Sequence, residues 1–166
     1  MTGTPILTPD PTHATFSGPR LSLQYPDFLE PVVIENTVSH VAVNFRHKTR
    51  TTGSLVLSVN LYTPKDKQTT AATVVRARKD AQTATMSGAS GSVDVSALGA
   101  IKGVGFALIG VPDAKKGLSG VESIETTFAA DVPHGLLEVR LTAESKFSVD
   151  AEAVWALLAK SIQLGK

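Results

Sequence analysis

The residue types in this chain that could carry chemistry are few and dispersed. Histidines stand at positions 13, 40, 47 and 134. His13 follows a Pro/Thr-rich opening and is expected in a mobile lead-in, and His134 is expected in a turn. His40 and His47 flank one strand-like stretch. Side chains alternate along a strand, so a separation of seven residues puts these two on opposite faces and argues against a shared metal. All four read as solvated histidines, with a weak adventitious metal site as the alternative. The close carboxylate pairs are Asp27 with Glu30, Glu122 with Glu125, and Asp150 with Glu152. Acid/base hydrolysis needs two carboxyl groups that flank a substrate. None of these pairs follows such a signature, and all read as surface or helix-capping residues. No G-x-S-x-G nucleophile elbow occurs. Gly103-Val104-Gly105 opens a dinucleotide-binding spelling, but Leu108 occupies its sixth position, and no phosphate loop is spelled anywhere. These glycines read as permitting a bulge or a close strand approach.

The densest charge is Arg46, His47, Lys48 and Arg50, in a polar hairpin (46–53) beside Phe45. The plain reading is a solvated turn. The functional reading is an electrostatic docking surface for an acidic protein partner, so these four are the candidate partner-binding residues. Lys115 and Lys116 make a smaller cluster. Nucleic acid is not an expected partner. The net charge of +1 supports no long-range field, and 5% aromatic residues poorly supply a base-stacking platform. The absence of cysteine excludes disulfides, thiol nucleophiles, zinc–thiolate sites and iron–sulfur clusters. It also removes the usual marker of redox compartment. No catalytic residue, metal ligand or cofactor is expected.

The elements that would position these residues follow from hydrophobic periodicity. Leu21, Leu23 and Tyr25 alternate with polar residues up to Pro26. Pro31–Glu35 is a second short strand, Val41–Arg46 a third, and Leu55–Tyr62 a fourth, expected to be longest and central. From Gln68 to Met86 the period is helical, with Arg76, Arg78, Lys79 and Asp80 on a solvated face. Five threonines lower its helix propensity, so its ends are expected to fray. Ser87–Ser92 reads as a Gly/Ser loop. Val93–Val95, Val104–Val111 and Val121–Ala130 read as strands, Asp131–Gly135 as a tight hairpin turn, and 136–142 as a strand. Ser148 is the expected N-cap of a last helix, with Asp150 and Glu152 in its first turn. Val149, Ala153, Trp155, Leu157, Leu158 and Ile162 form its expected apolar stripe, with Trp155 a core anchor. Gly165 is placed to end that helix.

A chain of 166 residues fits one domain and buries about two-thirds of its unfolded surface without a staple. Residues 1–15 read as a flexible Pro/Thr-rich segment and 16–166 as a single α+β domain, complete at its C-terminal helix. No apolar run approaches the roughly 20 residues that span a bilayer. Met1–His13 lacks the regions of a signal peptide. Two histories stay equally open: a cytoplasmic chain as written, or a processed periplasmic or envelope chain with a lipid anchor upstream of Met1.

The segment order resembles the PsbP-like fold family, which includes photosystem II extrinsic proteins, the Ran-binding Mog proteins, and bacterial lipoproteins and secretion-associated proteins. The carrying segments are Phe16-Ser-Gly-Pro-Arg-Leu-Ser-Leu-Gln-Tyr25-Pro26 and Ala159-Lys-Ser-Ile-Gln-Leu164. Members open on a strand that reads into Tyr-Pro and close on a helix whose last turn carries Ser-Ile or Ser-Phe. The aromatic that members place after Tyr-Pro is Phe28 here. No functional residue carries over. The resemblance implies an αβα sandwich that binds proteins and catalyses nothing. The hairpin connections between strands separately imply a mostly antiparallel sheet of about six or seven strands with two main helices packed on it. The expected function is a non-catalytic accessory or binding domain that engages a protein partner, envelope- or secretion-associated. The alternative is a small-ligand- or lipid-binding α+β domain with the Val104–Val111 region as a cavity wall. An unrecognised enzyme is third.

Overall fold

The fold is described from a computed structural model over residues 13–48, 54–133 and 135–165. Arg50, His134 and the opening through Thr12 lie outside the described residues. Alternating sequence yields β1 (His13–Ser17), β2 (Leu21–Pro26), β3 (Leu29–Asn36), β4 (His40–His47) and β5 (Leu55–Tyr62). Helix α1 (Ala71–Thr85) follows, then β6 (Met86–Asp94), β7 (Ala97–Leu98), β8 (Ile101–Lys102) and β9 (Val104–Pro112). The chain continues through β10 (Ser123–Val132), β11 (Gly135–Glu144), α2 (Ser148–Ser161) and β12 (Gln163–Leu164).

Seven strands form the main sheet in the order β3-β4-β5-β11-β10-β9-β6, and each neighbouring pair is antiparallel. Alternation sorts the two faces. Val41, Val43 and Phe45, with Leu57, Val59, Val139, Phe128 and their neighbours, point to the larger core. That core is closed by Ala151, Val154 and Leu158 of α2 and by the small sheet β1-β2-β12. On the opposite face, Ala71 and Val75 of α1 cover Phe106, Leu108, Ala129 and Leu136. The result is an α+β sandwich with helices on both faces of an antiparallel sheet.

Several local expectations are corrected. The longest strands are β10 and β11, ten residues each, with β11 in the middle of the sheet and β5 beside it. Apolar alternation runs along both β10 and β11, which lets this hairpin extend. Ser87–Ser92 belongs to strand β6 and is not a loop. It forms one edge of the sheet, where Gly and Ser are tolerated because only one side must pair, and its register with β9 shifts twice.

Helix α1 begins at Ala71, later than Gln68. Thr70 and Thr73 form a reciprocal capping box at its start, whereas the Thr83 and Thr85 hydroxyls bond back to the Lys79 and Ala81 carbonyls one turn earlier. Helix α2 starts one residue earlier than a Ser148 cap implies. Phe147 is the N-cap and makes no side-chain cap bond, because the turn Ser145–Phe147 feeds directly into the helix. Asp150 lies in the first turn and Glu152 beyond it. The buried stripe is Ala151, Val154 and Leu158, at helical spacing. Val149 falls off that stripe and is 76% exposed, Ala153 is also exposed, and Trp155 is half-buried. The helix ends at Ser161, and Gln163–Leu164 then pair with β2. Gly165 does not stop the helix; its amide donates to the Arg20 carbonyl.

Candidate functional site

Among the described residues, Arg46, His47 and Lys48 do not share one face. Arg46 and His47 are neighbours in β4 and so project to opposite faces. Arg46 is exposed and its Nε donates to Glu30 Oε1 at 2.9 Å. Lys48 is exposed, and its amide donates to the Phe28 carbonyl. His47 is not solvated as expected. Its side chain is 9% exposed, its ring stacks on Phe28 at 5.1 Å, and its Nε2 lies 3.9 Å from Asp150 Oδ2 of α2. It ties β4 to the helix face. His40 is on the other face, as its spacing requires, and its Nδ1 lies 2.7 Å from Glu35 Oε2. His13 sits exposed in β1, paired with Pro26, and not in a lead-in. Among the described residues no three His, Asp or Glu side chains gather as a metal-ligand set.

These residues flank β3, the other edge of the main sheet. Pro31, Val32, Val33 and Ile34 are all exposed, with Val33 at 51% and Ile34 at 67%. The register sets Val33 opposite Val43 and Val32 opposite Asn44, so apolar side chains project from both faces of the strand. A bulge between Val33 and Glu35 turns Ile34 outward. Glu30 and Glu35 frame the apolar run, and each has a partner on β4, Arg46 for Glu30 and His40 for Glu35. At the far end of β3, exposed Val38 borders a groove of about 810 Å³ that includes Pro19, Leu61, Val132 and Leu164. Sequence reading found the strand but not its exposure, because Val-Val-Ile spells a core strand and only topology makes it an edge.

A second arrangement lies under α1. Glu125, expected at the surface, is buried with its side chain 1% exposed. Its Oε1 accepts from Arg78 Nη2 at 2.6 Å and from Arg140 Nη2 at 3.2 Å. Arg78 therefore reaches the sheet, with its side chain only 30% exposed. Two strands away, the Tyr62 hydroxyl donates to Glu138 Oε1 at 2.7 Å. Burial, then the hydrogen bond and the negative charge of Glu138, hold the Tyr62 phenol protonated well above its ordinary range. No local sequence signal announces either pair, since each joins residues from distant segments.

A third feature is an apolar groove of about 450 Å³ beside α2. Ala107 and Ile109 of β9, Ile124 of β10, and Trp155 line it. Trp155 is thus a groove wall and not a fully buried anchor.

No family model matches the sequence, and no curated protein sequence matches it. Solved structures do. The solution structure of cyanobacterial PsbP (CyanoP) from Synechocystis superposes with a TM-score of 0.50 at 17% identity, covering 93% of this chain and 93% of that one. LpqN, a Mycobacterium tuberculosis protein involved in cell envelope biogenesis, gives 0.52 at 9% identity, covering 93% and 91%. A protein of Bacteroides thetaiotaomicron gives 0.50 at 11% identity; 91% of this chain is covered, but the chain spans half of that protein's length. Likeness at these identities concerns the fold, and the fold is PsbP-like.

Proposed function

We propose that this chain is a non-catalytic binding domain that docks an extended segment of a protein partner onto its β3 edge, in the cell envelope. The observation that carries the reading is the open edge itself, where Val33 and Ile34 are more than half exposed on a strand with one free side. Open edges invite pairing, and charge, proline and bulges normally blunt them. Here Glu30, Pro31 and Glu35 flank the apolar run without interrupting it. They oppose pairing between two copies, which would bring Glu30 of one copy towards Glu35 of the other. A partner strand would gain main-chain hydrogen bonds along β3 and seat alternate side chains against Val32 and Val33. Arg46, Lys48 and Arg50 would steer an acidic flank of that partner, and His47 would hold the base of the hairpin. The likeness in fold to LpqN, which is involved in cell envelope biogenesis, supports an envelope setting. Affinity capture from the native host's envelope fraction tests this with wild type, Ile34→Lys and Val149→Lys as baits. The partner should survive Val149→Lys and be lost with Ile34→Lys; an unchanged set of captured proteins with Ile34→Lys would reject the edge.

A second reading rests on the groove at Trp155. Its apolar lining suits a short aliphatic chain. Trp155 is the sole tryptophan, so intrinsic fluorescence during titration with a medium-chain fatty acid reports directly on it. A saturable blue shift supports a lipid-handling domain, and a flat titration removes it.

A further inference from the structure

Main-chain groups on β3 point in directions that the pairing with β4 fixes. Residues of an antiparallel strand alternate between those whose N–H and C=O both face the neighbouring strand and those whose groups both face away. One bond sets the phase. The Lys48 amide donates to the Phe28 carbonyl at 2.9 Å, and Leu29 lies opposite His47 in the same register. Phe28, Glu30 and Val32 therefore face β4, whereas Leu29, Pro31 and Val33 turn their main-chain groups outward. The proline agrees with this phase, because an inward position would need the N–H it lacks. Beyond the bulge, the Thr37 amide donates to the His40 carbonyl at 2.9 Å, so Glu35 faces β4 again. Among the described residues β3 pairs with β4 alone. Its exposed run thus offers an incoming strand the Val33 N–H and C=O and the Pro31 C=O.

Symmetry makes the missing donor discriminate. Two outward residues ordinarily make four bonds with an antiparallel strand, two each. A strand of another protein loses one of these at Pro31 and keeps three. Two copies that lay their exposed runs together about a two-fold axis set each Pro31 opposite the other's Val33. An isologous contact repeats every defect, so the loss occurs twice and two bonds remain. Centring the axis on Val33 also leaves two, since Pro31 then faces Glu35, whose groups are spent on β4.

We infer that Pro31 determines specificity at this edge, admitting a strand of another protein and excluding a second copy. This role rests on the docking reading above. The partner strand must give an N–H opposite both Pro31 and Val33, so neither of those two alternate residues of the partner is proline.

Self-association of the whole chain, measured by analytical ultracentrifugation across a concentration series, tests the role without needing the partner. Glu30→Gln with Glu35→Gln removes the charges that also oppose pairing of copies, and Pro31→Val is then added on that background. The double variant should associate no more than wild type. Adding Pro31→Val restores two bonds and should tighten self-association about tenfold or more. Adding Val33→Pro to that triple variant removes an outward N–H that β4 does not use, so it should keep the fold and return self-association to the wild-type level. Unchanged self-association with Pro31→Val would overturn the role of Pro31, as would a double variant that already pairs as tightly as the triple one, or a folded Val33→Pro variant that still pairs. A partner that survives Ile34→Lys instead rejects the docking reading, which these measurements do not touch.

Discussion

Arg78 Nη2 of α1 donates to Glu125 Oε1 of β10 at 2.6 Å, across the boundary between helix and sheet. The carboxylate end of this pair is almost completely enclosed. Removing one partner of a buried charge costs more than removing both, because the survivor is left in a poor solvent. Arg78→Met should lower stability by about 1–3 kcal/mol, with Arg140 still holding one side of the carboxylate. Adding Glu125→Met and Arg140→Met to Arg78→Met, so that no charge of the triad is stranded, should regain most of that loss. Chemical denaturation of the wild type, the single variant and the triple variant reads both. A triple variant as unstable as the single one would show that the charge is not what matters there.

The attachment of α2 to the rest of the fold is open to a one-residue test. Gly99 turns between β7 and β8 with φ +59°, and a Cβ there would meet the Ala159 carbonyl of α2. Gly99→Ala should cost about 1–3 kcal/mol from the backbone conformation alone. The added contact with Ala159 should raise that cost. Wild-type thermal stability in this variant would mean that the turn does not rest on the helix.

Tyr62 sets the response to alkali. In the unfolded chain its phenol titrates near its ordinary value of about 10. In the folded chain burial and Glu138 keep it protonated beyond that. A group whose folded pKa is raised contributes stability that is fully present below the unfolded pKa and is lost as pH rises through and beyond it. Stability should therefore fall as pH climbs past about 10. Tyr62→Phe should flatten that fall while losing the bond to Glu138 at neutral pH. Thermal melts across the alkaline range compare the two slopes, and parallel slopes would refute the role given to Tyr62.

Much of the architecture is legible in the order of residues. Period-two alternation in Leu21–Tyr25, Val41–Phe45 and Leu55–Leu61 marks strands that the structure contains. The helical periods before Met86 and after Phe147 mark both helices. The Tyr25-Pro26 and Ser161-Ile162 words point to the right fold. What escapes reading depends on contacts across the chain. Whether Val32–Ile34 is core or edge is decided by which strands pair with it. Whether Arg78 and Glu125 are solvated is decided by how α1 lies on β10, 47 residues away in sequence. Gly and Ser in β6 give no strand signal, because pairing with β9 supplies the order there. In α2, a difference of two positions in phase separates the exposed Val149 from the buried Ala151.

The docking edge can be interrogated in place. A photoreactive phenylalanine analogue at position 34 probes the exposed bulge of β3, and the same analogue at position 149 probes an exposed turn of α2. Irradiation in the native host followed by mass spectrometry reads which proteins become covalently attached. The expected result is one protein attached from position 34 and absent from position 149, with the crosslink mapping to an extended segment. No adduct from position 34, or the same adducts from both positions, would contradict docking at the β3 edge.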